Sequence, residues 1–166
     1  MNTAYLLLGS NIGNKKDFLS RALVFIKNDA GTVISQSALY DTTPWPAQPN
    51  DKNNNQNNFI NQAICVETAL SAPQLLQCLL SIEKKLGRTR NQKWEARIID
   101  IDILFFNSEI IQTPELIVPH PHLQERKFAL IPLAEIASAF IHPVLKRSIK
   151  DILFTCNDNL VVTEVV

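Results

Sequence analysis

The chain has 166 residues, enough for one domain with a substantial core and too few for two of ordinary size. Apolar residues make up 46% of it and charged residues 19%, a globular composition that excludes extended disorder. Sixteen basic side chains balance sixteen acidic ones, so bulk charge favours neither a nucleic-acid partner nor a membrane surface.

Residues 3–8 read as a buried strand ended by Gly9-Ser10-Asn11, and Phe18, Leu19, Ala22, Leu23 and Ile26 then recur at helical spacing. Gly31 breaks that pattern, and the β-branched and small residues of 32–40 predict a second strand. Residues 41–58, with three prolines and an asparagine run, offer little to bury and predict a long loop before a third strand over 59–68. Ser71-Ala72-Pro73-Gln74 opens a helix with a capping-box pattern; Leu75, Leu76, Leu79, Ile82 and Leu86 form its buried stripe, and Gly87 closes it. A strongly apolar strand follows within 94–106. Ile110-Ile111 predict a short strand paired with it, and 128–139 and 148–154 predict helices around Pro143.

The resulting order, β-α-β-β-α-β with a helical C-terminal extension, is that of an α+β ferredoxin-like antiparallel sheet with its helices packed on it, in a single domain over 1–166. The first nine residues lack the basic start and cleavage site of a signal peptide, and no apolar run is long enough to cross a bilayer. Cys65, Cys78 and Cys156 are far apart and without CxxC spacing, so they are expected as buried thiols in a cytoplasmic protein.

The chemistry is carried by Asp100 and Asp102, two residues apart on the apolar strand. Alternation puts Ile99, Ile101, Ile103 and Phe105 on one side and both aspartates on the other. At roughly 6.7 Å and an effective dielectric of 20, the two charges repel by about 2.5 kcal/mol. Divalent magnesium, a hard ion that suits carboxylate oxygens and completes its shell with water and phosphate, would offset that. Alone, such a pair equally describes a solvated sheet face. Its surroundings sharpen it: Glu83 falls on or beside the buried stripe of the preceding helix, and Arg88, Arg90, Lys93 and Arg97 follow within a few residues. Arginine forks beside a carboxylate pair are what a metal-bound polyphosphate requires. Arg97, three residues before Asp100, has the opposite parity in a regular strand. With four glycines, none placed as GxxxxGK[ST], an ordinary P-loop is excluded.

Val118-Pro119-His120-Pro121-His122, then Arg126 and Phe128, form a second polar cluster; without a third nearby ligand, phosphate contacts fit it better than zinc. Phe59 and Asn61 share a strand face, where an aromatic and an amide could stack on and hydrogen-bond a flat heterocycle.

Taken in order, Leu8-Gly9-Ser10-Asn11, Phe59-Ile60-Asn61, Ile82-Glu83, Gly87-Arg88, Arg90, Arg97-Ile98-Ile99-Asp100-Ile101-Asp102-Ile103 and Val118-Pro119-His120 resemble the 6-hydroxymethyl-7,8-dihydropterin pyrophosphokinases of folate biosynthesis. The resemblance implies transfer of the β,γ-pyrophosphoryl unit of ATP to the pterin hydroxymethyl group, with release of AMP. It implies two Mg2+ ions on Asp100 and Asp102, catalytic Arg88 and Arg97, and phosphate or nucleotide contacts from Arg90, His120 and Arg126. Leu76, Glu83 and Ile103 would form the nucleotide pocket and Trp94 would cover the site. Phe59 and Phe128 would sandwich the pterin, and Asn61, helped by backbone near Thr42 and Thr43, would read its amide edge. A monomer acting on small molecules, with no nucleic-acid or membrane partner, is expected. The chain departs from the family pattern at Pro46 in its long loop, at Glu95-Ala96 and at Pro121.

A metal-dependent nucleotidyltransferase would use the same aspartate pair, and a non-enzymatic ferredoxin-like binding module would need neither aspartate. The reaction products separate the first from pyrophosphoryl transfer; the effect of substituting the aspartates separates the second.

Overall fold

The computed structural model describes residues 1–43, 57–88 and 98–166. Most of the asparagine-rich loop lies outside these residues, as do Arg90, Lys93, Trp94, Glu95, Ala96 and Arg97.

The first strand, β1 (Asn2–Ser10), leads into helix α1 (Lys15–Asp29), whose Asn14 cap accepts the Asp17 N–H and whose Leu19, Ala22 and Ile26 are buried. Helix α2 (Ala72–Lys85) starts at the capping box read from the sequence: Ser71 Oγ accepts the Gln74 N–H at 3.3 Å and Gln74 Oε1 accepts the Ser71 N–H at 2.9 Å. It ends at Leu86, followed by Gly87 at φ +99°, a left-handed backbone that favours glycine.

The predicted strand over 32–40 is two strands, β2 (Thr32–Gln36) and β3 (Tyr40–Thr42), both antiparallel to β4 (Phe59–Thr68). Ser37 makes the break. Its N–H donates to Ala63 O at 2.9 Å while its Oγ accepts the Ala63 N–H at 3.0 Å, so a side chain stands in for the ladder and β4 stays paired. The β3 strand also carries two residues of the predicted loop into the sheet.

The aspartate strand is β5 (Asp100–Phe106), and the sheet runs β5-β1-β4-β3 and then β8 (Val162–Glu164), antiparallel at every pairing. β1 and β4 are therefore central and β5 is an edge. Ile110-Ile111 was expected to pair with the aspartate strand; instead β6 (Ile111–Gln112) pairs with β7 (Ile117–Val118) in a separate ribbon, closed by Thr113 and Leu116 exchanging hydrogen bonds. The C-terminal region is not wholly helical either. After α3 (Lys127–Ala137) and α4 (Ile149–Phe154) it returns as β8, paired to β3.

Strand alternation divides the core in two. Leu6, Leu8, Ile60, Ile64, Ile101 and Ile103 pack under α1 and α2. Leu7 and Ala63 point the other way, with Leu130 and Leu133 of α3 and Ile149 and Ile152 of α4. Phe105 was expected beside Ile103 and is not. The pairing steps from Leu6–Ile103 to Tyr5–Phe105, so Leu104 is an extra residue in β5, a bulge that turns Phe105 onto the α3/α4 face. There Phe105 meets Tyr5, Phe140 and His142, with ring centroids 6.3, 4.7 and 5.3 Å away. Of the three cysteines, all free, Cys65 is buried while Cys78 and Cys156 are only half-buried.

Candidate active site

The register sets the site before any side chain is placed. Asp100 pairs with Gly9, Gly9 with Asn61 and Asn61 with Tyr40, so one row crosses four strands; Asp102 heads the next row, with Leu7 and Ala63. Because Leu7 and Ala63 belong to the α3/α4 core, both aspartates, Gly9 and Asn61 lie on that face of the sheet. The row works because its second member has no side chain. A Cβ on Gly9 would come 2.6 Å from Asn61 Oδ1 and 3.6 Å from Phe59. The resemblance included Gly9 without a role, and the sequence reading ended the strand at Gly9, whereas β1 runs through it to Ser10.

Asn61 is only 4% exposed, and its Nδ2 donates to Thr42 Oγ1 at 2.7 Å. Phe59, two residues earlier on the same face, is half-buried, as is Phe128 in the first turn of α3. Thr43 Oγ1 is buried without a hydrogen-bond partner among the described residues. Lys15 Nζ and Asn11 Nδ2 hold the entry to β4 through Asn58 O at 2.8 Å and Asn57 O at 3.4 Å. Tyr40, which pairs onward with Glu164 of β8, donates its hydroxyl to Glu135 of α3 at 2.6 Å; burial and that carboxylate push the phenol up to about 12. Neither Tyr40 nor Glu135 was singled out from sequence, since the pair is 95 residues apart.

At the β5 edge, where no further strand pairs among the described residues, Ile101 N–H donates to Glu83 Oε1 at 2.9 Å. The same oxygen lies 2.8 Å from Arg88 Nη1, which also reaches Asp100 Oδ1 at 2.7 Å. Burial opposes the Arg88 charge, but Asp100, Glu83 and Asp102 outweigh it and raise its pKa. Leu76 and the buried Ile103 sit on the α2 side of the sheet, opposite the aspartates.

The Leu104 bulge supplies the next contact: its carbonyl accepts the His120 N–H at 3.1 Å. Burial, then Arg126 and His122, push the His120 imidazole down to about 4 despite the opposing charge of Asp100. His120 Nδ1 accepts the His122 N–H at 3.3 Å, which leaves Nε2 carrying the proton. Arg126 lies over the Phe128 ring at 5.6 Å. His122 turns instead to Glu125 at 3.2 Å, and among the described residues no three histidines, cysteines or carboxylates gather around a common point.

Phe59, Asn61, Thr42, Asp100, Asp102, His120, Arg126 and Phe128 thus share the α3/α4 side, with Arg88 joining it from the β5 edge. The donor set suits a hard divalent ion: two carboxylates on one strand face, with remaining positions left to water and phosphate oxygen. The same side offers an aromatic and amide surface and neutral or cationic N–H donors.

The sequence model of the family described as 7,8-dihydro-6-hydroxymethylpterin-pyrophosphokinase matches residues 5–138. A Bacillus subtilis 2-amino-4-hydroxy-6-hydroxymethyldihydropteridine pyrophosphokinase is 43% identical over 136 residues, 81% of this chain and 78% of the relative. The Aquifex aeolicus protein of that name is 36% identical over 151 residues, covering 91% and 90%. Among solved structures, an HPPK-DHPS complex with substrates superposes with a TM-score of 0.72 at 18% identity, over 93% of this chain. Plasmodium falciparum wild-type HPPK-DHPS with pteroate gives 0.74 at 18% identity, over 92%. These two likenesses bear on the fold, and the chain spans only 43% and 44% of those longer chains.

Proposed function

Because this chain belongs to the 7,8-dihydro-6-hydroxymethylpterin-pyrophosphokinase family, we propose that it carries out Mg2+-dependent transfer of pyrophosphate from ATP to 6-hydroxymethyl-7,8-dihydropterin. The products are the pterin diphosphate and AMP, and the step belongs to folate biosynthesis. The observation that supports the reading is the row from Asp100 through Gly9 to Asn61, which puts on one face of the sheet the carboxylate read here as a cation ligand and the amide read here as a heterocycle contact.

In this reading Asp100 and Asp102 would hold two magnesium ions, which would supply charge neutralisation at the phosphates and Lewis acidity toward the acceptor. Phe59 and Phe128 stack on the pterin, and Asn61, its Nδ2 steadied by Thr42, presents an amide to the pterin edge with help from backbone near Thr43. The pterin hydroxyl oxygen bonds to the β-phosphorus as the bond to the α-phosphate oxygen breaks, so AMP leaves and the hydroxyl proton is released. Neutral His120 donates from Nε2 to a phosphate oxygen, while Arg126 and Arg88 spread the developing charge. Arg90, Arg97 and Trp94 join the nucleotide side on the strength of the family resemblance, with Leu76, Glu83 and Ile103.

The frame is read as ferredoxin-like with a C-terminal extension. The three free thiols favour a reducing cytoplasm. Incubating the chain with ATP, Mg2+ and the hydroxymethyl-dihydropterin should yield AMP and a diphosphorylated pterin. Release of pyrophosphate with a nucleotidylated product would overturn the reading.

A further inference from the structure

Arg88 occupies an unusual position for a residue whose expected task is to grip phosphate. Its Nη1 carries two N–H bonds and divides them between two carboxylates, Glu83 Oε1 at 2.8 Å and Asp100 Oδ1 at 2.7 Å. The two acceptors differ. The Glu83 side chain is 3% exposed and also takes the Ile101 N–H at 2.9 Å, so it is built into the joint between α2 and β5. The Asp100 side chain is 19% exposed and lies on the open face with Asp102. A buried carboxylate keeps its cation, because leaving it uncompensated is strongly unfavourable; one that reaches solvent can exchange its cation for another.

From this asymmetry we infer that Arg88 is a stand-in cation for Asp100 when no metal is bound, and that metal binding displaces it from Asp100 while Glu83 retains it. The inference rests on the reading of Asp100 as a metal ligand. It makes Glu83 a positioning residue: it fixes the β5 edge through Ile101 N–H and holds the released guanidinium within reach of the phosphates.

The test is Mn2+ binding to the full chain without nucleotide, followed by the electron paramagnetic resonance of free Mn2+. Arg88→Ala should bind Mn2+ on the order of tenfold more tightly, since one charge-assisted hydrogen bond no longer competes. Lys85→Met, which removes a like charge from α2 that is paired to Asp29 at 3.1 Å, should stay within about twofold of the parent. Arg88→Gln replaces Arg88→Ala if circular dichroism shows the latter unfolded. Equal or weaker binding by the folded Arg88 variant overturns the inference, as does a gain of the same size in Lys85→Met or no Mn2+ binding by any variant. A crystal structure with Mn2+ should show Nη1 beyond 4 Å from Asp100 and still on Glu83; retention of both contacts with the metal bound also overturns it. Absence of AMP formation is a separate result, which counts against the pyrophosphokinase reading and leaves the metal competition standing.

Discussion

On the α1/α2 face, Leu6, Leu8, Ile60 and Ile64 of β1 and β4 are all buried, and the polar Ser10, at the end of β1, and Gln62, between the two isoleucines, are buried with them. On the α3/α4 face the same strands pass from Leu7 and Ala63 to Gly9 and Asn61 in a single step of alternation. One strand pair therefore supplies a sealed core on one side and, on the other, a core that stops where a site begins. The period of two makes this possible, because neighbouring residues never compete for the same face. It also makes stability and chemistry separable by substitution.

The largest effect should come from the open side. Asp100→Ala or Asp102→Ala should lower turnover about 10²–10³-fold or more, measured as AMP formation, because each removes a fixed charge opposite the developing phosphate charge. The melting temperature should move little, since each residue is only partly buried, the repulsion between the pair is relieved, and Arg88 keeps Glu83 as a partner when Asp100 is removed. Turnover within a factor of two of the parent in either variant would place the metal elsewhere.

The sealed side should answer in the opposite currency. Ile26→Ala in α1, at a fully buried position, should cost about 2–5 kcal/mol in urea unfolding and leave the turnover of the folded fraction unchanged. A change in KM for either substrate would show that the two faces are coupled.

How far sequence reached follows the same division. The third strand, the capping box at Ser71 and the shared face of Asp100 and Asp102 all rest on local period and local chemistry, and each appears as read. What local pattern could not carry was set by partners far along the chain. The break at Ser37 depends on Ala63, the Leu104 bulge on Tyr5 and Leu6, and the β8 strand on β3. The site divides likewise: Phe59 and Asn61 were legible as a pair on one strand, whereas the clearance that Gly9 gives Asn61 needed the register between β1 and β4. Arg97, whose parity is opposite to that of the aspartates, lies outside the described residues.

That clearance gives a sharper test of where core ends and site begins. Gly9→Ala puts a methyl 2.6 Å from Asn61 Oδ1, so the amide must shift even though the backbone there suits alanine. KM for the pterin should rise about tenfold, the equivalent of one well-placed hydrogen bond, with kcat changed much less. An unchanged KM would mean that Asn61 does not read the pterin in the orientation seen beside Gly9.

The smallest effect concerns pH, and it too belongs to one face. His142 sits in the apolar half of the α3/α4 side, 4% exposed, with its Nδ1 accepting the N–H groups of Val144 and Leu145 at 3.1 Å each. Burial lowers its pKa, and burial together with Arg126 and His122 lowers that of His120 to about 4. Both histidines therefore bind a proton more readily in the unfolded chain, near the ordinary value of about 6.5, than in the folded one. Their stability contribution is fully present above about pH 6.5 and is lost as pH falls below it, for His120 down to about 4. Protonated His142 can accept neither N–H, so it takes part in that loss. The urea midpoint should fall between pH 8 and 5.5. His142→Asn, whose Oδ1 can replace Nδ1 as an acceptor but takes up no proton, should flatten that fall while keeping the pH 8 midpoint close to the parent's. If His142→Asn falls as steeply as the parent, the pH dependence arises at the site half of the face, from His120, and the apolar half contributes none of it.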